Sequence, residues 1–344
     1  MAKEKETVSD FEKKYGKVCI SGDFILEQEK KIISMSPRMD IGLSGGVPEG
    51  CWVLCSGQPK RGKTTCMLQL CANAQKQGKK IRYLDVEHRL KSMNLGGIAG
   101  LKTDEDNFRI VRSEKGNILN AEQFLNAGTD MLHAEEDIVL VIDSVSALCS
   151  SAETIGEITS QARNAGAKLM ANFWRKNKDI VPVQNSIVIM IIHLIANTSG
   201  YGAKWNEDGG QKIQYACDVK IRNKSTADWL EGEKLVGIIP EWEIETSALG
   251  PACKSVKQRI RFGIGADETA ELMDVGLEFG LISQAGAWYS CDFVVSTPEL
   301  SSFCSEDSKK NMVCKFQGEA NLYKFLKENP TVQQKLNELI RSMI

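Results

Sequence analysis

The sequence predicts an α/β fold: a mostly parallel sheet flanked by helices, preceded by a helical arm and followed by a small α+β C-terminal domain. Three observations predict it. Gly57-Gln58-Pro59-Lys60-Arg61-Gly62-Lys63-Thr64 fits the phosphate-loop pattern G-x-x-x-x-G-K-[ST] and stands between an apolar strand and an apolar helix. From Met39 to about Gly265, short apolar runs alternate with helical stretches. From about Ala266 the runs shorten into a unit of helices and small strands.

In chain order, residues 1–36 read as a short helix, Val8 to Tyr15, followed by an irregular arm, residues 37–265 as the core, and residues 266–344 as the C-terminal domain. Trp52-Val53-Leu54-Cys55 is the strand before the phosphate loop. Met67, Leu68, Leu70, Cys71 and Ala74 after it repeat with helical period. Ile81 to Asp85 and Ile138 to Asp143 are further strands. Ile187 to Ile192 is apolar on both faces and therefore central. Val219 to Arg222 and Ile238 to Glu243 alternate, which suits strands nearer an edge, and Val332 to Met343 closes the chain as a helix.

Apolar content of 42% and charged content of 26% are those of an ordinary globular chain. There is no apolar run of the roughly 18 residues that a membrane helix needs, and Met1 to Glu6 lack the apolar centre of a signal peptide. The 11 cysteines include no C-x-x-C pair, and Cys55, Cys66, Cys71 and Cys149 lie in apolar runs as small core residues. The reducing cytoplasm is the expected location. A net charge of −2 excludes a uniformly basic nucleic-acid binder, so any nucleic-acid contact must come from local cations repeated over many subunits.

The phosphate loop implies ATP or GTP. The segment Gly57, Gln58, Pro59, Lys60, Arg61, Gly62, Lys63, Thr64 and Thr65 surrounds the space for phosphate oxygens with backbone N–H groups at a helix N-terminus. Lys63 would reach the β- and γ-phosphates and Thr64 would ligate Mg²⁺. Asp143, after four apolar residues, is either the second Mg²⁺-site residue or an aspartate capping a turn. Glu87 in Asp85-Val86-Glu87-His88 is either a general base for the attacking water or a solvated loop residue. His193 ends the central strand, as a γ-phosphate sensor or as a structural histidine. The stretch from Leu194 to Gly210 reads as a loop without regular structure, with Tyr201, Lys204 and Trp205 among Gly200, Gly202, Gly209 and Gly210. Its rings either stack on nucleobases or pack back on the core.

Several of these segments together resemble the RecA family of recombinases. They are Met39 to Leu43, Gly45 to Gly50, the loop ending Gly62-Lys63-Thr64-Thr65, Asp85 to His88, Val141 to Leu148 and Gly209-Gly210. The likeness continues in Ala285-Gly286-Ala287-Trp288-Tyr289-Ser290 and in Leu326-Lys327-Glu328-Asn329-Pro330, and Phe11 to Lys17 is similar to the family's N-terminal oligomerisation helix. The resemblance implies a RecA-like P-loop ATPase core and a DNA-dependent ATPase that polymerises on single-stranded DNA, with ATP and Mg²⁺ at each subunit interface. It implies pairing of that strand with double-stranded DNA, a helical homo-oligomer, and single-strand-binding and mediator proteins as partners. Glu87 takes the family's catalytic glutamate position, and His193 stands where the family has a coupling glutamine. Phage recombinases of the family also carry histidine there, and a phage origin is compatible. A first DNA loop would run from Glu153 to Asn164. Tyr201-Gly202 aligns with a Phe-Gly whose ring wedges between bases, and Lys168 and Arg175 match phosphate contacts.

Some positions depart from the family. Where it has lysines reaching the neighbour's γ-phosphate, this chain has Glu245 and Ser247, and another basic interface position holds Gln214. An interfacial cation such as K⁺, or Lys254 or Lys257, would have to supply the charge. Asn94 stands nearest the place of the ring that stacks on adenine. The C-terminal Lys309, Lys310, Lys315, Lys324 and Lys327 are candidates for gathering duplex DNA. Two other readings stay open: a helicase-like ATPase on the same core, and a mediator that loads a recombinase.

Overall fold

The computed structural model describes residues 8–149, 165–197, 205–207, 211–252, 255–306 and 310–344. The chain divides into two compact units, Met1–Lys31 and Ile32–Ile344. In the first, helices span Val8–Tyr15 and Gly22–Glu27, the second capped by the Ser21 hydroxyl accepting from Phe24 N–H. Phe24, Ile25 and Leu26 are exposed there.

The second unit is built on one large sheet. Ahead of it, β1 (Ile32–Ile33) and β2 (Val47–Pro48) pair with each other as a separate ribbon; the large sheet holds β3 (Trp52–Gly57), β4 (Lys80–Asp85), β5 (Phe108–Val111), β6 (Ile138–Asp143), β7 (Ile187–Ala196), β8 (Trp205–Glu207), β9 (Val219–Glu231), β10 (Lys234–Thr246), β11 (Val256–Lys257), β12 (Ile260–Arg261) and β13 (Gly265–Ala266). The large sheet runs in the order β13-β12-β10-β9-β3-β7-β6-β4-β5, and β9, β3, β7, β6, β4 and β5 are mutually parallel. The run Ile187–Ile192 lies at the centre, as its two apolar faces required. Ile187, Ile189 and Ile191 face one core with the helix Lys63–Lys76, while Val188, Met190 and Ile192 face the other with the helices Ala121–Ala134 and Ala165–Asn177. The strands β9 and β10 form a long hairpin toward one edge.

Where strands begin, one ammonium ties them together. Lys79, 1% exposed, gives its three protons to Glu49 Oε2 at 2.8 Å, Asp137 Oδ1 at 2.9 Å and the Asn185 carbonyl at 2.7 Å. Those partners lie just ahead of β3, β6 and β7.

Two expectations need correction. The stretch from Leu194 to Gly210 is not one irregular loop. The strand β7 runs on to Ala196, and β8 folds back on it antiparallel, Leu194 opposite Glu207 and Ala196 opposite Trp205. Pairing satisfies the backbone groups there, while glycines on either side hid so short a strand from the sequence. The last helix spans Pro330–Arg341 and not Val332 to Met343, because proline's missing N–H is no loss in a first turn. Arg341 at its end donates to Asp40, which also accepts from Ser34 Oγ and Met35 N–H. Leu272, Cys291, Leu322, Leu326 and Leu336 are among the residues of a separate apolar cluster under that helix.

Replacing Lys79 by alanine takes the ammonium away from the buried Glu49 carboxylate. Breaking such a pair costs about 3–5 kcal/mol, so Lys79→Ala should lower the denaturant midpoint of unfolding markedly. A midpoint within error of the parent would remove Lys79 from its role as the tie.

Candidate active site

The phosphate loop takes its shape from the residues around it. Gly62 has φ 86°, a left-handed conformation that glycine adopts without strain, and the helix Lys63–Lys76 starts on it. Gly57 is required for space: a Cβ there would stand 2.7 Å from Asn223 Cβ on β9. Lys63 is buried, and its ammonium lies back on its own loop, 2.8 Å from the carbonyls of Gly57 and of Gln58. Burial holds its pKa below the ordinary lysine value.

Register brings the other candidates to the same end of the sheet. Asp85 stands opposite Asp143, and Gly57 opposite His193. Asp143 Oδ2 accepts from Thr64 Oγ1 at 2.9 Å and from the Tyr83 hydroxyl at 2.5 Å. Burial raises the Asp143 carboxyl despite those two donors. A hydroxyl and a buried carboxylate already in contact fit Mg²⁺, which takes hard oxygen ligands and few of them from protein. Of these partners, Tyr83 was not foreseen, since a tyrosine inside a strand carries no motif.

Glu87 is held on a turn fixed from two sides. Its N–H and that of Val86 donate to the Asp143 carbonyl, and Asp85 Oδ1 accepts from Arg89 N–H at 3.1 Å and from Leu90 N–H at 3.4 Å. Glu87 Oε1 accepts from the Ser144 hydroxyl and from His193 Nε2. A carboxylate only accepts, so His193 donates from Nε2. His193 N–H in turn donates to Ser146 Oγ at 2.9 Å. Burial raises the Glu87 carboxyl, but the His193 and Ser144 hydrogen bonds outweigh it and bring the pKa down to about 2. Glu87, 10% exposed and bonded to His193, is not a solvated loop residue.

Around this centre lies a cleft of about 760 Å³ lined by the phosphate loop from Pro59 to Thr65 and by Arg89, Lys91, Met93, Asn94 and Ile238. Asn94 is therefore in the cleft, on the short helix Ser92–Gly96. Arg89, Lys91 and Ile238 were missed, because contacts from separate strands and loops leave no local pattern.

The remaining candidates are not gathered here. Lys168 and Arg175 are exposed on the helix Ala165–Asn177, two turns apart on one side. Trp205 lies in β8 and is half-buried. Tyr201, Gly202, Lys204, Gly209, Gly210, the first DNA loop from Glu153 to Asn164, Lys254 and Lys309 lie outside the described residues. Lys310, Lys315, Lys324 and Lys327 are exposed. Glu245 does not stand as an open negative charge: Lys220 Nζ is 2.5 Å and Arg222 Nε 3.2 Å from it. Ser247 Oγ donates to the Leu43 carbonyl at 2.6 Å.

A phosphate loop on a parallel sheet, with its threonine on a strand-end aspartate and a glutamate across the cleft, makes this a P-loop nucleotide-binding protein. The family model of the RecA N-terminal domain matches residues 3–267. Protein RecA of a Nitratiruptor species is 30% identical over 345 residues, covering 98% of this chain and 92% of the relative. Protein RecA of Oleidesulfovibrio alaskensis is 28% identical, covering 96% and 88%, and that of Campylobacter lari 28%, covering 98% and 92%. The chain belongs to the RecA family. Among the described residues no helix is long and apolar enough to cross a membrane.

A folded-state pKa of about 2, below the ordinary 4.5, means that ionised Glu87 stabilises the fold above pH 4.5 and that this contribution is lost as pH falls through 2. His193→Ala should move the Glu87 carboxyl back toward 4.5 in a ¹³C-carboxyl NMR titration. An unchanged titration would mean that His193 is not what depresses it.

Proposed function

We propose that this protein is an ATP-dependent DNA recombinase, a DNA-dependent ATPase whose protomers form a helical filament on single-stranded DNA and pair that strand with a homologous duplex. One observation supports this most strongly: β7 carries His193, bonded to Glu87, and three residues later pairs with Trp205 of β8. A single strand thus runs from the nucleotide cleft to the segment assigned to DNA.

In this reading Lys63 leaves the Gly57 and Gln58 carbonyls for the β- and γ-phosphates of ATP. Thr64 and Asp143 hold Mg²⁺, which when bound neutralises developing phosphate charge. Glu87 orients and deprotonates the attacking water, giving ADP and phosphate. With its oxygen engaged by two donors and its pKa near 2, Glu87 is a weak base at rest. Release by His193, as that residue turns to the γ-phosphate, restores it. Exposed Lys168 and Arg175 would take DNA phosphates, and Tyr201-Gly202 with Trp205, Lys204, Gly209 and Gly210 would take bases. The exposed Phe24, Ile25 and Leu26 suit an arm, residues 1–36, that docks on another copy, while residues 266–344 with their lysines would gather double-stranded DNA. Single-strand-binding and mediator proteins are the implied partners, and no membrane is.

Glu245 and Ser247 in place of interface lysines favour a second reading, a recombination mediator or helicase-like ATPase with weak strand exchange. Electron microscopy with single-stranded DNA and a non-hydrolysable ATP analogue separates the readings as helical filament, closed ring or no polymer. The filament is the expected result.

Glu87→Gln should leave filaments intact and slow hydrolysis by orders of magnitude; rapid hydrolysis by the variant would dismiss Glu87 as the base. Tyr201→Ala should weaken single-stranded DNA binding by about 1–3 kcal/mol with nucleotide binding unchanged, and unaltered DNA affinity would refute the wedge. Because Lys220 and Arg222 already meet Glu245, ATPase activity should be flat between K⁺ and Na⁺ buffers; a strict need for K⁺ would assign the interface charge to a bound cation.

A further inference from the structure

Glu207 attracts notice because it is charged, deeply placed and part of no motif. Its side chain is 1% exposed at the end of the three-residue β8. Side chains two apart on a strand share a face, so Glu207 and Trp205 point to the same side. Glu207 Oε1 accepts from Ser56 Oγ at 2.7 Å and lies 3.4 Å from Arg222 Nη2. Lys220 Nζ is 3.4 Å from Oε2, and that oxygen has no hydrogen bond of good geometry. The same two cations reach Glu245 on β10. Two carboxylates and two cations therefore join β3, β8, β9 and β10, with one buried oxygen only partly satisfied.

Ser56 leads directly into the nucleotide cleft. The next residue is Gly57, whose carbonyl holds the Lys63 ammonium at 2.8 Å. The contacts are continuous: Trp205 and Glu207 on one strand, Glu207 to the Ser56 hydroxyl, Ser56 to Gly57, and the Gly57 carbonyl to Lys63. A buried carboxylate that moves must carry its donors along or leave them unpaired at a cost, so its motion is coupled to theirs.

We infer that Glu207 is a positioning residue that transmits engagement of the Trp205 strand to Lys63, so that DNA on that strand sets how readily Lys63 leaves the Gly57 carbonyl for the phosphates. The inference rests on the DNA-dependent ATPase reading above and assigns a residue to its coupling. Glu207→Gln keeps shape and removes charge. Ser56→Ala removes the hydroxyl link and leaves every charge in place, so it serves also if the glutamine variant folds poorly.

The experiment is steady-state ATPase of the full chain, with and without single-stranded DNA, for the parent, both single variants and the double variant, together with their melting temperatures. Each single variant should cut the ratio of DNA-stimulated to basal rate by about tenfold. Basal rate, KM for ATP without DNA and melting temperature should hold. The double variant should be no worse than Glu207→Gln alone, because both changes cut one connection. A ratio preserved in Ser56→Ala, losses that multiply, or a basal rate and melting temperature that fall in step would overturn the inference and leave Glu207 a staple of the hairpin. A parent enzyme that DNA does not stimulate would instead overturn the DNA-dependent reading, and this inference with it.

Discussion

The register of four adjacent parallel strands is the constraint on which the rest of this molecule depends. The register of β3, β7, β6 and β4 puts Gly57 beside His193 and Asp143 beside Asp85. Their polar side chains gather at that end, because the strands below are apolar and largely buried. Slipping one strand by a single residue would exchange its two faces and separate Thr64 from Asp143. The packing of Ile187 to Ile192 between two cores makes that slip prohibitive. The site owes its accuracy to side chains that never touch a nucleotide.

Buried charge is handled differently at the two ends of the sheet. At the start of the strands Lys79 is saturated by three acceptors and has nothing left to offer. At the other end the charges are met by partners that can be given up. Lys63 is held by two carbonyls, Asp143 by two hydroxyls, and Glu87 by an imidazole, a hydroxyl and the Arg89 guanidinium at 3.1 Å. Carbonyl, hydroxyl and exposed partners cost less to leave when phosphate or Mg²⁺ arrives than the members of a buried, saturated ion cluster. One end is built for permanence and the other for exchange.

Much of this was legible in the sequence because it rests on local pattern. The phosphate loop, the strand-end aspartate and the central apolar run each declare themselves within a dozen residues, whereas the contacts of Thr64 with Asp143 and of Glu87 with His193 come from the register of separate strands. What escaped was what long-range pairing creates. Tyr83 and Ser144 become partners only when β4 and β6 are adjacent. The short β8 lies between glycines and becomes a strand only because β7 offers it an edge. Glu245 seemed an uncompensated acid until β9 set Lys220 and Arg222 against it. Spacing along a chain carries no information about such neighbours.

The close approach of Gly57 to β9 changes how substitutions there should be interpreted. A methyl group at that position meets the Asn223 side chain before any nucleotide is present. In a mutational scan, damage at Gly57 would therefore report a collision between two strands, and its severity would say nothing about affinity for phosphate. Glycine at the first position of the phosphate-loop pattern is thus demanded by crowding behind the loop as well as by the ligand in front of it.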